Sequence, residues 1–394
     1  MIERSHALAN QGGCMCKKDI VSRVGRVRLF LLVSLVALLP VRHAVAQGRW
    51  TPDRAAAWQK AHGWLAGSNF IPSTAINQLE MWQADTFDPA TIDRELGWAE
   101  GLGFNSMRVF LHDLLWKQDS KAFLERIDRF LGIADRHHIG VVLVLLDGVW
   151  DPRPALGPQH PPKPHVHNSG WVQSPGAAIL GSPQRHAELR PYVEGVLRRF
   201  GKDKRVHAWD LFNEPDNDNT DSYKQQELPN KHEMALLLLR SVFEWARAVN
   251  PDQPLTAGLW RGEDFGEEGP KTPVGRFAAD SSDIITFHAY NDAGGVEKRI
   301  AALRRHGRPM LCTEYLARSF GSTIQTVLPV LKKNDVGAYT WGLVDGKTQT
   351  IYPWSSWTRP FDAEPPVWHH DLFRKDGKAY SEEEVKVIRS LTKK

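Results

Sequence analysis

An α/β fold, a (β/α)8 TIM barrel, is the class that the sequence predicts, and three observations favour it. Strand-like and helix-like segments alternate about eight times along the 394 residues. One of the strands, IGVVLVLL at 139–146, is apolar on both faces, as in a parallel sheet covered by helices. No glycine-rich turn follows the first strand, so an open doubly wound sheet is the less favoured alternative.

The strands are predicted from short apolar and β-branched runs that end at polar residues, and the helices from apolar residues spaced three and four apart. Segment 121–138 shows the helical spacing most clearly, with Phe123, Ile127 and Phe130 on one face. The segment 64–73 is predicted to be the first strand followed by a polar loop. The other predicted strands are 104–111, 139–146, 207–213, 255–260, 283–290, 309–315 and 336–343. The predicted helices are 91–101, 121–138, 185–200, 231–249, 297–306, 323–334 and 381–391.

The N-terminus has the features of a secretory signal peptide. Arg23, Arg26 and Arg28 precede the apolar segment 29–41, and a small-x-small cleavage site follows at 44–46. We therefore expect residues 1–46 to be cleaved and residues 47–394 to form a single catalytic domain, secreted or periplasmic, without stable membrane association. An uncleaved membrane anchor is the alternative.

The charge and cysteine content exclude some classes of partner. The net charge of +4 comes from the leader, because residues 47–394 hold 43 Lys and Arg against 44 Asp and Glu. Nothing in this balance indicates a nucleic acid or an anionic lipid as a partner. Cys312 is the one cysteine after the leader, so no internal disulfide forms, and its apolar strand predicts a buried thiol rather than a nucleophile.

Segment 149–184 is a long loop without periodicity, rich in proline and glycine. Long structureless insertions in compact domains are usually functional, so we expect a lid or a rim. Its histidines, His165 and His167, could bind a metal together with His369 and His370. A polar rim is the favoured interpretation, and no metal or cofactor is predicted.

Two glutamates end strand-like runs, and this is the main chemical signal in the chain. Glu214 ends WDLFNE and Glu314 ends PMLCTE. The ends of parallel barrel strands meet at one mouth, so the two carboxyl groups are expected to face each other. A pair of carboxylates is the minimum equipment for hydrolysing a glycosidic bond. Other polar or aromatic residues at strand ends are Asn69, Arg108, Asn213, His288, Tyr290 and Trp341.

This ordered set resembles clan A glycoside hydrolases, closest to the family 5 cellulase-like and mannanase-like enzymes, over roughly residues 60–390. The resemblance implies that Glu214 is the general acid/base and Glu314 the nucleophile, and that Asn213 binds the sugar 2-hydroxyl. One departure is that many relatives have a histidine at the end of the third strand, where this chain has Asp147. A histidine of the long loop could substitute for it.

The resemblance also implies roles for the remaining residues at the strand ends. Arg108 and Tyr290 would position Glu314 and keep it ionised, since a guanidinium and a phenol hydrogen bond lower the pKa of a carboxyl group. His288 would support the acid/base, and Trp341 would form the floor under the sugar at the reacting centre. Asn69 is a further candidate for substrate binding.

The resulting expectation is a monomeric retaining β-glycosidase that hydrolyses O-glycosidic bonds of a β-linked glucan, mannan or xylan. Fifteen tryptophans suit a carbohydrate partner, because sugar rings stack on aromatic planes. Two alternatives remain open. A transglycosylase would use the same glutamates with acceptor sites built from Trp150, Trp171, Trp354 or Trp357. A catalytically inactive carbohydrate-binding barrel would keep the tryptophans but lose a carboxylate or its positioning groups.

Overall fold

The computed structural model describes residues 48–393, and eight parallel strands form its central sheet. Neighbouring strands follow the order β5-β4-β3-β2-β1-β8-β7-β6. The strands are β1 Ala66–Asn69, β2 Ser106–Phe110, β3 Gly140–Val144, β4 Val206–Asp210, β5 Leu255–Thr256, β6 Ile285–His288, β7 Met310–Tyr315 and β8 Gly337–Thr340. The predicted (β/α)8 barrel is confirmed.

The barrel closes between β5 and β6 through hydrogen bonds just beyond the short β5 strand. Leu259 pairs in parallel with Phe287. Its amide donates to the Thr286 carbonyl at 2.9 Å, and its carbonyl accepts from the His288 amide at 2.9 Å. Because β5 is only two residues long, this irregular pairing replaces a regular ladder and leaves no open sheet edge there.

Helices connect the strands and cover the sheet. Several begin at a Thr, Asp or Ser whose side chain accepts from an amide of the first turn, for example Asp88 from Thr91 at 3.0 Å. The α-helices are α1 Pro52–His62, α2 Gln78–Trp82, α3 Pro89–Gly101, α4 Asp113–Arg136, α5 Ala177–Leu180, α6 Arg190–Phe200, α7 Lys231–Val249, α8 Pro273–Ser281, α9 Ala293–Leu303, α10 Ile324–Lys333 and α11 Glu382–Thr392.

The core lies between the barrel and this helical layer. Phe130 of α4 is fully buried, and its ring packs against Trp82 of α2 with centroids 5.5 Å apart. Cys312 is buried on β7, as expected, and burial raises the pKa of its thiol to about 12. None of the helices in residues 48–393 is long and apolar enough to cross a membrane.

The segment 185–200, predicted as one helix, begins as a 3-10 turn, Pro183–Leu189, and becomes an α-helix only at Arg190. Four observed α-helices were not predicted, namely α1, α2, α5 and α8. Of these, α2 and α5 have only five and four residues, too few for the helical spacing to stand out. The predicted signal peptide lies outside the described residues and stays a prediction.

Candidate active site

The strand-end residues named from the sequence lie together at the C-terminal mouth of the barrel. Asn69 ends β1 and His288 ends β6. Arg108 lies within β2 and Glu314 within β7, one residue before its end. The remaining four follow the ends of their strands: Asn213 and Glu214 after β4, Tyr290 after β6, and Trp341 after β8.

Arg108 is the fully buried centre of this cluster. Its Nε and Nη2 donate to Asp210 Oδ2 at 3.1 and 2.8 Å. Its Nη1 donates to Asn69 Oδ1 and to Glu314 Oε1, at 2.8 Å each. A second bond from Nη2 reaches Asn213 Oδ1 at 2.6 Å. All five guanidinium donors are thereby used, so Arg108 organises the site and has no hydrogen left for a substrate.

The two asparagines at the mouth differ in whether a side-chain amide hydrogen remains free for a ligand. Asn69 Nδ2 donates to the carbonyls of Thr313 at 2.7 Å and Thr340 at 3.0 Å, which occupies both of its hydrogens. Asn213 Nδ2 donates once, to Asp147 Oδ1 at 2.9 Å, and so keeps one hydrogen for a ligand. Asn213 can therefore bind a sugar hydroxyl, whereas Asn69 is held in a positioning role.

Glu314 receives one donor on each carboxylate oxygen. Arg108 Nη1 lies 2.8 Å from Oε1, and the Tyr290 hydroxyl donates to Oε2 at 2.8 Å. Burial raises the pKa of Glu314 above its ordinary value, and the Arg108 charge and the Tyr290 hydrogen bond oppose that rise. A carboxylate with an ion pair and a phenol donor is the form that a nucleophile requires.

Glu214 lies in a different environment, on a backbone with φ of 38° directly after Asn213. Its Oε1 lies 2.6 Å from His288 Nδ1, and its Oε2 accepts from Asn217 Nδ2 at 2.6 Å. Burial raises the pKa of Glu214 to about 7, with the Asn217 hydrogen bond opposing that rise. A carboxyl group that holds its proton near neutral pH can act as a general acid.

The two carboxyl groups are close enough for a double displacement. A carboxylate oxygen of Glu214 and one of Glu314 lie within 4.8 Å of each other. Retaining glycosidases hold their carboxyl groups about 5–5.5 Å apart, whereas inverting ones need about 6.5–9.5 Å to admit a water molecule. The separation therefore fits direct attack by one carboxylate on the sugar.

His288 lies between the two glutamates. Its Nδ1 contacts Glu214, and its Nε2 lies 3.5 Å from Glu314 Oε1 without a hydrogen-bond partner among the described residues. Burial lowers the pKa of His288 to about 4, so the ring is neutral at physiological pH. A neutral ring can hydrogen-bond to either carboxyl group without placing a positive charge between them.

A cavity of about 440 Å³ opens above the glutamates. Six tryptophans line it, as expected for a site that stacks sugar rings. They are Trp150, Trp171, Trp260, Trp341, Trp354 and Trp357. Both glutamates, Asn213 and Tyr290 line the same cavity, so the aromatic surfaces and the carboxylates face one ligand.

Three supporting residues were not identified from the sequence. Asp210 accepts two of the Arg108 hydrogen bonds, and Asn217 holds Glu214. Asp147, at the end of the third strand, contacts Asn213 and accepts from Trp171 Nε1 at 2.6 Å. The signal for Asp210 was available, because a charged residue within the apolar run before Asn-Glu-Pro requires a buried partner.

Within the described residues, one group has metal-ligand atoms close together, namely Glu214, His288 and Glu314. The Arg108 guanidinium already contacts Glu314 Oε1 and supplies the positive charge there. A metal cation at the same oxygen would be repelled by this buried charge. The donor set therefore fits proton transfer and nucleophilic attack better than metal binding.

The structure also brings together three of the four histidines considered as metal ligands. The ring of His370 lies 4.2 Å from that of His369 and 5.3 Å from that of His167, measured between centroids. Within residues 48–393, the ring nitrogens of these histidines do not lie close enough together to form a metal-binding group. His165 lies apart, packed on Tyr352. Of the four, His167 lines the active-site cavity.

Comparison with solved structures yields (β/α)8 glycoside hydrolases. The chain is similar to β-glucosidase 1317 (TM-score 0.55, 13% identity, 84% of this chain and 98% of that one). The two proteins share the (β/α)8 barrel fold. Another neighbour is a GH5_18 protein from Streptomyces cattleya, solved with Manβ1-4GlcNAc (TM-score 0.52, 12% identity, 84% and 80% coverage). A third is an exo-β-1,4-mannosidase from Opitutaceae bacterium strain TAV5 (TM-score 0.54, 17% identity, 84% and 60% coverage).

These likenesses confirm, at the level of the fold, the resemblance to family 5 that the strand-end residues indicated. No protein-family model matches the sequence, and no curated protein matches it either. The chemistry of the site must therefore be argued from its own residues.

Proposed function

We propose that the chain is a retaining β-glycosidase that hydrolyses a β-linked gluco-, manno- or xylo-configured saccharide through two glutamates. The observation that carries the proposal is the pairing of two buried carboxyl groups that have different hydrogen-bond partners. Glu314 is held by Arg108 and Tyr290, whereas Glu214 has a pKa of about 7. One carboxylate oxygen of each glutamate lies within 4.8 Å of the other, which supports retention over inversion.

In the first step, a Glu314 carboxylate oxygen attacks the anomeric carbon and displaces the leaving oxygen, which takes the proton of Glu214. A covalent glycosyl ester on Glu314 results, and Glu214 is left ionised. In the second step, Glu214 removes a proton from a water molecule, and the hydroxide attacks the anomeric carbon. The ester bond breaks, the sugar leaves with its original configuration, and both glutamates regain their starting protonation.

The hydrogen-bond network assigns distinct duties to the surrounding residues. Asn213 offers a free amide hydrogen to the sugar, held in place by Asp147 and Arg108. Tyr290 and Arg108 disperse the charge of Glu314 until it forms the ester. Trp341 lines the cavity beside both glutamates and can support the sugar ring at the reacting centre. Neighbours named as β-mannanases, β-mannosidases and β-glucosidases support the substrate class.

The test is release of reducing ends from β-glucans, β-mannans, xylan and short oligosaccharides by the wild type, Glu314→Gln and Glu214→Gln. We expect activity on at least one substrate to fall by several orders of magnitude in both variants. Aryl glycosides with a good leaving group separate the two roles, because their departure needs no acid. Glu214→Gln should still form the glycosyl ester from them and stall there, whereas Glu314→Gln should not. Activity that survives in both variants would refute the assignment.

A transglycosylase on the same site is favoured by one specific observation. Trp260 lines the cavity on the Glu214 side, where the leaving part of a substrate would lie, and its Nε1 donates to Asp216 Oδ1 at 2.9 Å. An aromatic surface next to the reacting centre could hold a sugar acceptor in place of water. Quantifying free sugar against longer oligosaccharides at high substrate concentration distinguishes the two reactions, since transfer makes products larger than the substrate.

A further inference from the structure

The walls of the active-site cavity differ from one side of the barrel to the other. On one side, the segments 149–173 after β3 and 344–371 after β8 meet, and we call this the closed side. The Asn168 amide donates to the Thr348 carbonyl at 2.7 Å. The indole of Trp357 donates to the His167 carbonyl at 2.8 Å. These bonds join two loops whose strands are separated by β1 and β2 in the sheet.

Residues after β1 form hydrogen bonds with both segments of the closed side. Asn77 Nδ2 donates to the Gly170 carbonyl at 2.8 Å, and Gln78 Nε2 to the Val172 carbonyl at 3.0 Å. The Lys347 amide donates to the Ser73 carbonyl at 3.1 Å. The segments after β1, β3 and β8 are thus joined by hydrogen bonds from side chains and backbone and form a continuous wall above strands β1 to β3.

Aromatic rings extend this wall towards the loop after β4. Trp150 stacks on Trp357. The ring of Tyr223 packs edge-on against the Trp357 indole, with centroids 5.2 Å apart. The Trp150 amide donates to Asn219 Oδ1 at 2.7 Å. The wall therefore bounds the cavity on the β8, β1 and β3 sides and reaches the loop after β4 at Asn219. The rest of the lining includes Asn217 after β4, Trp260 and Arg261 after β5, Tyr290 after β6 and Glu314 on β7.

The proposed roles of the glutamates define which end of a saccharide faces the wall. A general acid must lie beside the leaving oxygen, so the leaving part of the substrate extends past Glu214. The elements next to Glu214 on that side are Asn217 and, after β5, Trp260 and Arg261. Trp341, after β8, lies on the opposite side. The sugar that is transferred to Glu314, and anything attached to its non-reducing end, therefore points at the closed side.

We infer that the enzyme is exo-acting and removes sugars from the non-reducing ends of chains, because the wall blocks any continuation of the chain beyond the closed side. The inference rests on the proposed function and deepens it by naming the substrate as free chain ends rather than chain interiors. The cavity volume of about 440 Å³ agrees, since sites for small molecules span about 300–1,000 Å³.

His167 gives the wall a polar group for the terminal sugar. Its Nδ1 contacts the Tyr352 carbonyl at 2.7 Å, and a carbonyl can only accept, so Nδ1 carries the hydrogen. Burial lowers the pKa of His167 to about 4, so the ring is neutral and Nε2 is left as an acceptor. Nε2 makes no hydrogen bond to another described residue. It is available to a hydroxyl of the terminal sugar, which an extended chain would replace with a glycosidic oxygen that cannot donate.

The experiment compares two versions of each β-1,4-linked gluco- and manno-hexasaccharide, labelled at the reducing end. One has a free non-reducing end, and the other has the 4- and 6-hydroxyls of that end blocked by an ethylidene group. The wild type should shorten the free version from one end in steps of constant size and cleave the blocked version at least 100-fold more slowly. Rapid internal cleavage of the blocked version, lost in Glu314→Gln, would overturn exo action while leaving the two-glutamate mechanism intact.

Variants of the wall test the structural cause. Trp357→Ala removes the indole that joins the loops, so the ratio of blocked to free cleavage should rise at least tenfold. Trp260→Ala is the matched control, since this indole lies on the other side and its loss should leave the blocked version rejected. An unchanged ratio in folded Trp357→Ala would overturn the assignment of the wall. Activity on free hexasaccharides that survives Glu314→Gln and Glu214→Gln would instead refute the proposed function.

Discussion

Replacing Arg108 by methionine should destabilise the protein and impair Glu314 together, because one buried guanidinium serves both roles. The change keeps a long apolar side chain but removes five hydrogen bonds and the charge that faces Asp210 and Glu314. Removing one partner of a buried ion pair costs about 3–5 kcal/mol, since the other partner is left as an uncompensated charge. Unfolding entropy of roughly 2.1 cal/mol/K per residue converts this loss to a fall in Tm of about 4–7 °C.

The loss of stability should depend on pH. Burial raises the pKa of Glu314 in the folded state and Arg108 lowers it, so the pKa rises further without the guanidinium. A carboxyl group with a raised pKa in the folded state binds more protons there than in the unfolded state, and stability then falls as the pH rises. Arg108→Met should therefore lose more stability at pH 8 than at pH 5, relative to the wild type at each pH.

The measurement is urea unfolding at both pH values, with turnover recorded on the same samples. Arg136→Met is the control, because Arg136 pairs with Asp93 at 2.9 Å but is 61% exposed. A surface pair of this kind contributes about 0–1 kcal/mol and should leave turnover unchanged. A loss for Arg108→Met that is as small as the control, or that is the same at pH 5 and pH 8, would refute the reasoning.

Three further predictions concern the glutamates and the core. Tyr290→Phe removes a hydrogen-bond donor from Glu314. Because a hydrogen bond to a charged group contributes about 1.5–3 kcal/mol, kcat should fall about 10- to 100-fold. The acid limb of the pH–rate profile should move to higher pH. Asn217→Ala removes the bond that lowers the pKa of Glu214, so the basic limb of kcat/KM, expected near pH 7, should also move up; a downward shift would contradict the assignment. Phe130→Ala should cost about 3–5 kcal/mol in urea unfolding with the rate profile unchanged.

The barrel and the pair of glutamates at its strand ends were predictable because both depend on local patterns. Each strand is a short apolar run that ends at a polar residue, so the end of the run also marks the mouth of the barrel. Glu214 and Glu314 were found in this way, and the structure places them within 4.8 Å. Helix α8 was missed, although its buried residues Val274 and Ala278 lie four apart, as on one face of a helix.

The hydrogen-bond network and the wall could not be predicted, because their contacts are distant in the sequence. Arg108 reaches Asp210 across 102 residues, and the His167 amide reaches Ser356 Oγ across 189. The sequence showed that a charge within a strand needs a partner, but several carboxylates could have served. Likewise, loop 149–184 was predicted to form a rim, but its fixed shape comes from contacts with the segment after β8.

The most direct test of the two-glutamate mechanism is to trap the intermediate. A 2-deoxy-2-fluoro glycoside with a good leaving group slows both steps, but it lets the ester accumulate when the leaving group departs easily. After incubation and proteolysis, mass spectrometry should show one fluorosugar on the peptide that contains Glu314, and none in Glu314→Gln. Label on the peptide that contains Glu214, or turnover of the glycoside with no labelled peptide, would contradict the account.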